Sequence, residues 1–188
     1  MEIENLIQGC QKGKRTSQDD LVRLFAPKVM AICLRYCKDR DIANDALQET
    51  FIKILKYIKS YKGKGSFEGW IRRIAINASF EMIKKIRPIK FIDEEIVFDV
   101  ISTVPDIYAE LDTQDLMNLV NQLPESQNIV FNLKIIEGYS HEEIGKLLKI
   151  KPATSRSNLT RARITIIKLL NASESNNLTT TKNQKYGL

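Results

Sequence analysis

Apolar side chains recur along this chain at three- and four-residue intervals, the period of helices seated on a core, and no stretch sustains the alternation of a half-buried strand. The chain is therefore predicted to be all-α. A first helix is expected near residues 17–37. From Asp41 to Tyr61, Ala43, Leu47, Ile54 and Ile58 fall on one side, widened by Ala46, Phe51 and Leu55, which predicts a long amphipathic helix. The run YKGKGS at 61–66 breaks it, because two glycines and a serine favour a turn. Another helix is expected from about Phe67 to Lys85, and Pro88 helps to close this block.

The pattern changes after residue 90. Residues 91–110 mix Ile, Val and Phe with acids around Pro105 and show no clean helical period, so they read as a linker between a domain at 5–90 and a second at 111–170. From Leu111 the helical pattern resumes. Pro124 starts a new helix, EGYS at 137–140 marks a turn, and Pro152 starts the last helix. The tail at 171–188 is rich in Asn, Ser and Thr and poor in apolar residues, so it is expected to be disordered.

Composition narrows the class. With 188 residues, 43% hydrophobic and 28% charged, the chain has material for two small domains and has no apolar run near the roughly 20 residues that cross a bilayer. The N-terminus has neither a basic start nor a long apolar stretch, so a cytoplasmic location is expected. Three cysteines (Cys10, Cys33, Cys37) cannot all pair within the chain and are read as buried thiols. A single histidine, His141, excludes a histidine-rich metal site, and no glycine-rich phosphate loop of the P-loop spacing occurs. Neither an enzyme nor a cofactor is expected.

Charge is segregated. Residues 1–90 carry 19 basic and 10 acidic side chains, residues 91–115 carry 8 acidic and no basic ones, and residues 116–188 carry 10 basic and 5 acidic ones. Two basic blocks separated by an acidic stretch suit two modules that each face a polyanion. Solubility alone is the competing account of the net charge of +6, and the basic balance by itself favours a nucleic-acid partner over it only weakly.

The sharpest local signal lies at 139–170. Ser140 and Glu143 form the pattern of a capping box, so a helix starts there with Ile144, Leu147 and Leu148 on its buried face. Ile150 occupies a short turn, and Pro152 suits the first position of the next helix. This is helix-turn-helix spacing. In the second helix Leu159, Ala162 and Ile166 face the core, while Arg156, Thr160 and Arg163 share another face flanked by Ser157 and Arg161. A basic stripe on such a helix fits the major groove of DNA, where guanidinium groups reach guanine edges or phosphates.

Over residues 5–170 the chain resembles a bacterial RNA polymerase sigma factor of the extracytoplasmic function (ECF) group, within the sigma-70 family. The string DIANDALQETFIKIL at 41–55 is similar to the family's region 2.2, whose polar helix face docks on the clamp coiled coil of the largest polymerase subunit. The resemblance assigns that contact to Asp45, Gln48, Glu49 and Ile52, which lie on one face, opposite the buried stripe. The string GSFEGWIRRIAINASFEMIKK at 65–85 is similar to regions 2.3 and 2.4, which open and read the minus-10 element. Bases must leave the stack before protein can grip them, so such a site needs aromatic or polar pockets beside basic groups. Trp70, Arg73, Asn77 and Lys84 supply these on one stripe, with Lys62 and Lys64 in the adjoining loop. Arg72 and Lys85 are candidate phosphate contacts, and a lone Trp70 is as readily a core residue as a base-facing one.

The helix-turn-helix is similar to the family's region 4.2, which reads the minus-35 element. By position this implicates Arg156, Ser157, Thr160, Arg161 and Arg163. Ser155 stands where the family usually buries an aliphatic residue, which puts local packing in question. Asn158 stands where a basic residue is frequent, which implies one phosphate contact fewer or a changed sequence preference. Asp93, Glu94, Glu95 and Asp99 in the linker either mimic a polyanion in a basic polymerase channel or are simply solvated. The implied partners are core RNA polymerase, promoter DNA and an anti-sigma factor. The competing readings are a helix-turn-helix regulator that never joins core polymerase and, more remotely, a nucleic-acid enzyme.

Overall fold

A computed structural model describes residues 2–91 and 112–185, with side chains as far as Ala172 and without that of Thr113. The chain divides into two units, Met1–Pro88 and Ile89–Leu188. The acidic residues Asp93, Glu94, Glu95 and Asp99 lie outside the described residues.

The first unit contains α1 (Ile3–Gln11), α2 (Arg15–Cys37), α3 (Arg40–Tyr57), a 3₁₀ turn (Ile58–Ser60) and α4 (Phe67–Ile86). Helices α2, α3 and α4 pack on one another, and α1 covers α2. The sequence pattern gave no warning of α1. Chain reversals are set by local chemistry: α2 ends at Lys38 in the left-handed region (φ 58°), and the Asp39 carboxylate accepts hydrogen bonds from the amides of Asp41 and Ile42, each 2.9 Å. Leu21, Phe25, Val29 and Tyr36 from α2 meet Ala43, Ala46 and Ile54 from α3 and Ile71, Ile76, Phe80 and Ile83 from α4. The Tyr36 and Phe80 rings lie 5.1 Å apart, within the range of a favourable aromatic pair.

The buried stripe of α3 is rotated slightly from the expected one. Leu47 and Leu55 are half-buried, whereas Thr50 is fully buried. Its hydroxyl donates to the Ala46 carbonyl at 2.6 Å, as that of Ser79 does to Ala75 at 2.9 Å, so a short polar side chain is satisfied by its own helix and fits the core. Cys10, Cys33 and Cys37 are buried free thiols. Burial, then the neighbouring Cys33, pushes Cys37 up to about 11. Thiols held protonated in this way are poor nucleophiles.

The second unit contains α5 (Thr113–Asn121), α6 (Glu125–Phe131), a π-helical turn (Asn132–Ile136), α7 (His141–Leu148) and α8 (Pro152–Lys185). Its core is formed by Val120, Leu123, Ile129, Val130, Phe131, Leu133, Ile144, Leu148, Leu159, Ala162 and Ile166. Asn128 and Asn132 are also buried. The Asn128 Nδ2 donates to the Val120 carbonyl at 2.6 Å, and that of Asn132 to the Asn128 carbonyl at 2.9 Å.

The Ser140 capping box forms in full: the Glu143 amide donates to Ser140 Oγ at 3.1 Å, and the Ser140 amide donates to Glu143 Oε2 at 2.9 Å. Helix α7 ends at Lys149 with φ 61°. A Cβ at Gly145 would come within 2.8 Å of the Ile150 carbonyl oxygen, so the tight passage from α7 to α8 requires glycine there. At the other end, α8 continues to Lys185, where composition predicts a disordered tail over 171–188. No Gly or Pro falls between 171 and 185 to break a helix already propagating from Pro152.

Candidate nucleic-acid interface

Three surfaces carry the candidate residues, two on the first unit and one on the second. On α3, Asp45 and Gln48 are exposed, Ile52 is 60% exposed, and Glu49 is half-exposed. The Glu49 carboxylate lies 3.6 Å from Lys53 Nζ, and Lys53 also pairs with Glu81 of α4. Charged pairs this exposed contribute little to stability. A large aliphatic side chain held in water between polar neighbours suits a surface that another protein covers.

The second surface is built from the end of α3 and the start of α4. Gly63 and Gly65 adopt φ 72° and 82°, a conformation that makes the loop possible and that other residues rarely reach. The Tyr61 hydroxyl donates to the Gly65 carbonyl at 2.8 Å and closes the loop across its base. Gln11 of α1 fastens the same point, since its Nε2 donates to the carbonyls of Ile58 (3.1 Å) and Tyr61 (3.2 Å). Ser66 caps α4 by accepting from the Gly69 amide at 3.0 Å.

This loop carries an aromatic cluster. Tyr61 lies 5.4 Å from Trp70 and 5.1 Å from Phe67, and Phe67 stacks on Trp70 at 5.6 Å with 18° between the planes. Phe67 is buried and meets Phe25 edge-on, whereas Tyr61 and Trp70 are half-buried. Trp70 is thus partly core and partly surface. Sequence reasoning missed Tyr61, whose only signal is an aromatic residue directly before the KGKG run.

Lys62 and Lys64 are exposed on the loop, and Arg72, Arg73, Asn77 and Lys84 are exposed on α4. Lys85 is exposed as well, with Nζ 3.9 Å from Met82 Sδ. Asn77 lines a cleft of about 260 Å³ with Lys53, Tyr57, Ile74 and Glu81. Cationic groups beside half-exposed rings can hold a single strand by its phosphates while a base stacks.

The third surface is the face of α8. Arg156 is exposed, 3.8 Å from Glu142 Oε1, and Thr160, Arg161 and Arg163 are half-exposed. Ser157 does not belong with them. It is 2% exposed, because the next position lies about 100° round a helix and turns this small side chain toward the packed side that Thr154 also occupies.

Asn158 is buried too, and its Nδ2 donates to the Thr154 carbonyl at 2.8 Å, so it stands inside rather than in place of a basic surface group. Ser155, expected to disturb packing, is 0% exposed, and its Oγ lies 2.9 Å from Nδ1 of His141. Among the described residues, no group of three or more His, Cys, Asp or Glu side chains converges to hold a metal. No helix among them is long and apolar enough to cross a membrane.

Comparisons with known proteins bear on both units. The model of sigma-70 region 2 matches residues 21–88, and that of sigma-70 region 4 matches residues 113–166. The ECF RNA polymerase sigma factor SigE of Mycolicibacterium smegmatis is 33% identical over 78% of this chain, and the chain spans 59% of that protein's length. SigW of Bacillus subtilis is 28% identical, with 90% of this chain and 97% of SigW covered. The ECF RNA polymerase sigma-E factor of Haemophilus influenzae is 30% identical, with 84% of this chain and 89% of that protein covered.

Proposed function

The chain belongs to the extracytoplasmic function RNA polymerase sigma factors, which direct transcription initiation, and from that premise we propose how its surfaces divide the work. Asp45, Gln48, Glu49 and Ile52 of α3 bind core polymerase, with Ile52 as the apolar anchor and the acids setting register. Tyr61 and Trp70 receive an unstacked base of the minus-10 element. Lys62, Lys64, Arg72, Arg73 and Lys84 hold the strand's phosphates, and Asn77 contacts a base edge. On the second unit Arg156, Thr160, Arg161 and Arg163 meet the minus-35 duplex. The acidic stretch around Asp93–Asp99 connects the two. The protein performs no catalysis of its own, works in the cytoplasm and is restrained by an anti-sigma factor.

The observation that carries this reading is the 60% exposure of Ile52 within the stripe shared by Asp45, Gln48 and Glu49. An aliphatic group of that size gains about 1.5–3 kcal/mol when a partner buries it fully. Glu49→Lys tests the assignment by co-purification with core polymerase and run-off transcription from a promoter library. Loss of core binding with unchanged thermal unfolding is expected. Wild-type binding and transcription in the variant would overturn the α3 assignment.

A further inference from the structure

A side-chain hydrogen bond between His141 and Ser155 joins α7 to α8, and neither the helix-turn-helix pattern nor the family likeness accounts for it. Ser155 is fully buried, so its hydroxyl has no water to turn to. When the imidazole is neutral and carries its proton on Nε2, that hydroxyl donates to Nδ1. When the imidazole is charged, the direction reverses, with Nδ1–H donating and Ser155 Oγ accepting. A hydroxyl serves both states; the aliphatic side chain usual in the family at this position would serve neither. Ser155 therefore holds the half-buried ring in one orientation through a change of charge.

The groups around the ring are mainly cationic. Lys134 approaches from the π-helical turn, Arg156 and Arg163 from α8, and Glu142 from α7 itself. Burial, then Lys134 and Arg156, lower the imidazole below its ordinary value; Glu142 opposes them and Arg163 adds to the lowering. Three cations and one carboxylate around an oriented N–H donor form a setting that favours an anion.

We propose that His141 is a phosphate contact of the helix-turn-helix and that Ser155 is its positioning residue, so that binding of duplex DNA takes up a proton at this imidazole. The inference rests on the reading that the α8 face binds duplex. Its sign follows from the charges. Without DNA the ring stays neutral to a lower pH than an ordinary histidine; a phosphate at Nε2 favours the imidazolium and raises the ring's pKa. Between the free and bound values the complex holds more protons than its parts, so affinity rises as pH falls through that window, and below the free value the gain is complete. The chain has no other histidine, so no second imidazole confounds the measurement.

The test uses the full chain and a promoter duplex selected from a random pool with core polymerase. Binding is followed by fluorescence anisotropy at constant ionic strength, and the His141 Hε1 resonance is titrated with and without the duplex. From about pH 8 to about pH 6, wild-type affinity should rise roughly 3- to 10-fold, within the limit of tenfold per pH unit for one proton. His141→Gln should still bind and lose that slope. Ser155→Ala should weaken the slope and shift the His141 titration, which a purely structural serine would not do. A wild-type protein that binds with a flat profile, or a slope retained in His141→Gln, overturns the proposal alone. Failure of the wild type to bind any duplex overturns the reading of α8 together with it.

Discussion

In the first unit the interior is made of rings and aliphatic groups, with Thr50 and Ser79 the buried polar side chains among the described residues; the second unit buries Ser126, Asn128, Asn132, Thr154, Ser155, Ser157 and Asn158. The hydroxyls of the first unit bond to carbonyls of their own helices. Several polar groups of the second bridge elements: Asn128 reaches Val120 in α5, Ser155 reaches His141 in α7, and the Thr165 hydroxyl donates to Gln127 of α6 at 3.0 Å. Apolar burial is strong and non-directional, while a hydrogen bond adds little net stability but is costly to leave half-made. One unit gains cohesion from its interior and the other gains aim. If Arg156 and Arg163 meet a groove of duplex DNA as proposed, the helix that carries them benefits more from being aimed.

The sharpest way to break this comparison is to cut into the ring core. Phe80→Ala removes the partner of Tyr36 and should cost about 3–5 kcal/mol. Trp70 is the only tryptophan and lies in the first unit, and His141 is the only histidine and lies in the second, so each unit carries its own reporter. The Trp70 fluorescence transition should move to lower denaturant while the His141 NMR transition stays in place. Coincident movement of both would mean that the units unfold as one body and that their interiors cannot be compared separately.

A paired substitution gives a smaller and sharper result. Asn128→Leu removes the donor that ties α6 to the buried Val120 carbonyl, which keeps only the Leu123 amide at 3.2 Å, a loss of about 1.5 kcal/mol. Thr50→Val removes a hydroxyl whose acceptor, the Ala46 carbonyl, still has its place in the helix, and should cost under about 1 kcal/mol. Chemical denaturation of each variant, read with the reporter of its own unit, measures both. Equal losses would remove the distinction between hydrogen bonds within one helix and those that join two.

The same distinction explains what could be read without coordinates. Helices α3, α4, α7 and the start of α8 were legible because long apolar periods and local devices agree: Ser140 with Glu143 at one end, Pro152 at the next, and two glycines in the loop before Phe67. Helix α1 is nine residues long and flanked by Gly13, too short to declare a period. Ser157 was implicated by its position in the family pattern and Asn158 was compared with a basic residue there, and neither comparison shows burial; Asn158 is accommodated inside by bonding to the carbonyl one turn back. The extension of α8 to Lys185 was hidden by a composition poor in apolar residues, although nothing in it breaks a helix.

The smallest expected effect is one in which the two units should behave alike. Each ends a helix with a lysine in the left-handed region, Lys38 at φ 58° in the first and Lys149 at φ 61° in the second. A side chain there is strained by its Cβ, and glycine is not, so Lys38→Gly and Lys149→Gly should each stabilise by up to about 1 kcal/mol, less the extra freedom glycine has in the unfolded chain. The penalty belongs to one residue's backbone and does not depend on what fills the core. Similar small gains, read by Trp70 for the first and by His141 for the second, would assign the contrast between the units to their interiors. A gain at Lys38 with a loss at Lys149 would mean that the turn between α7 and α8 draws on contacts of the lysine side chain, and that the second unit relies on directed polar groups at its surface as well as inside.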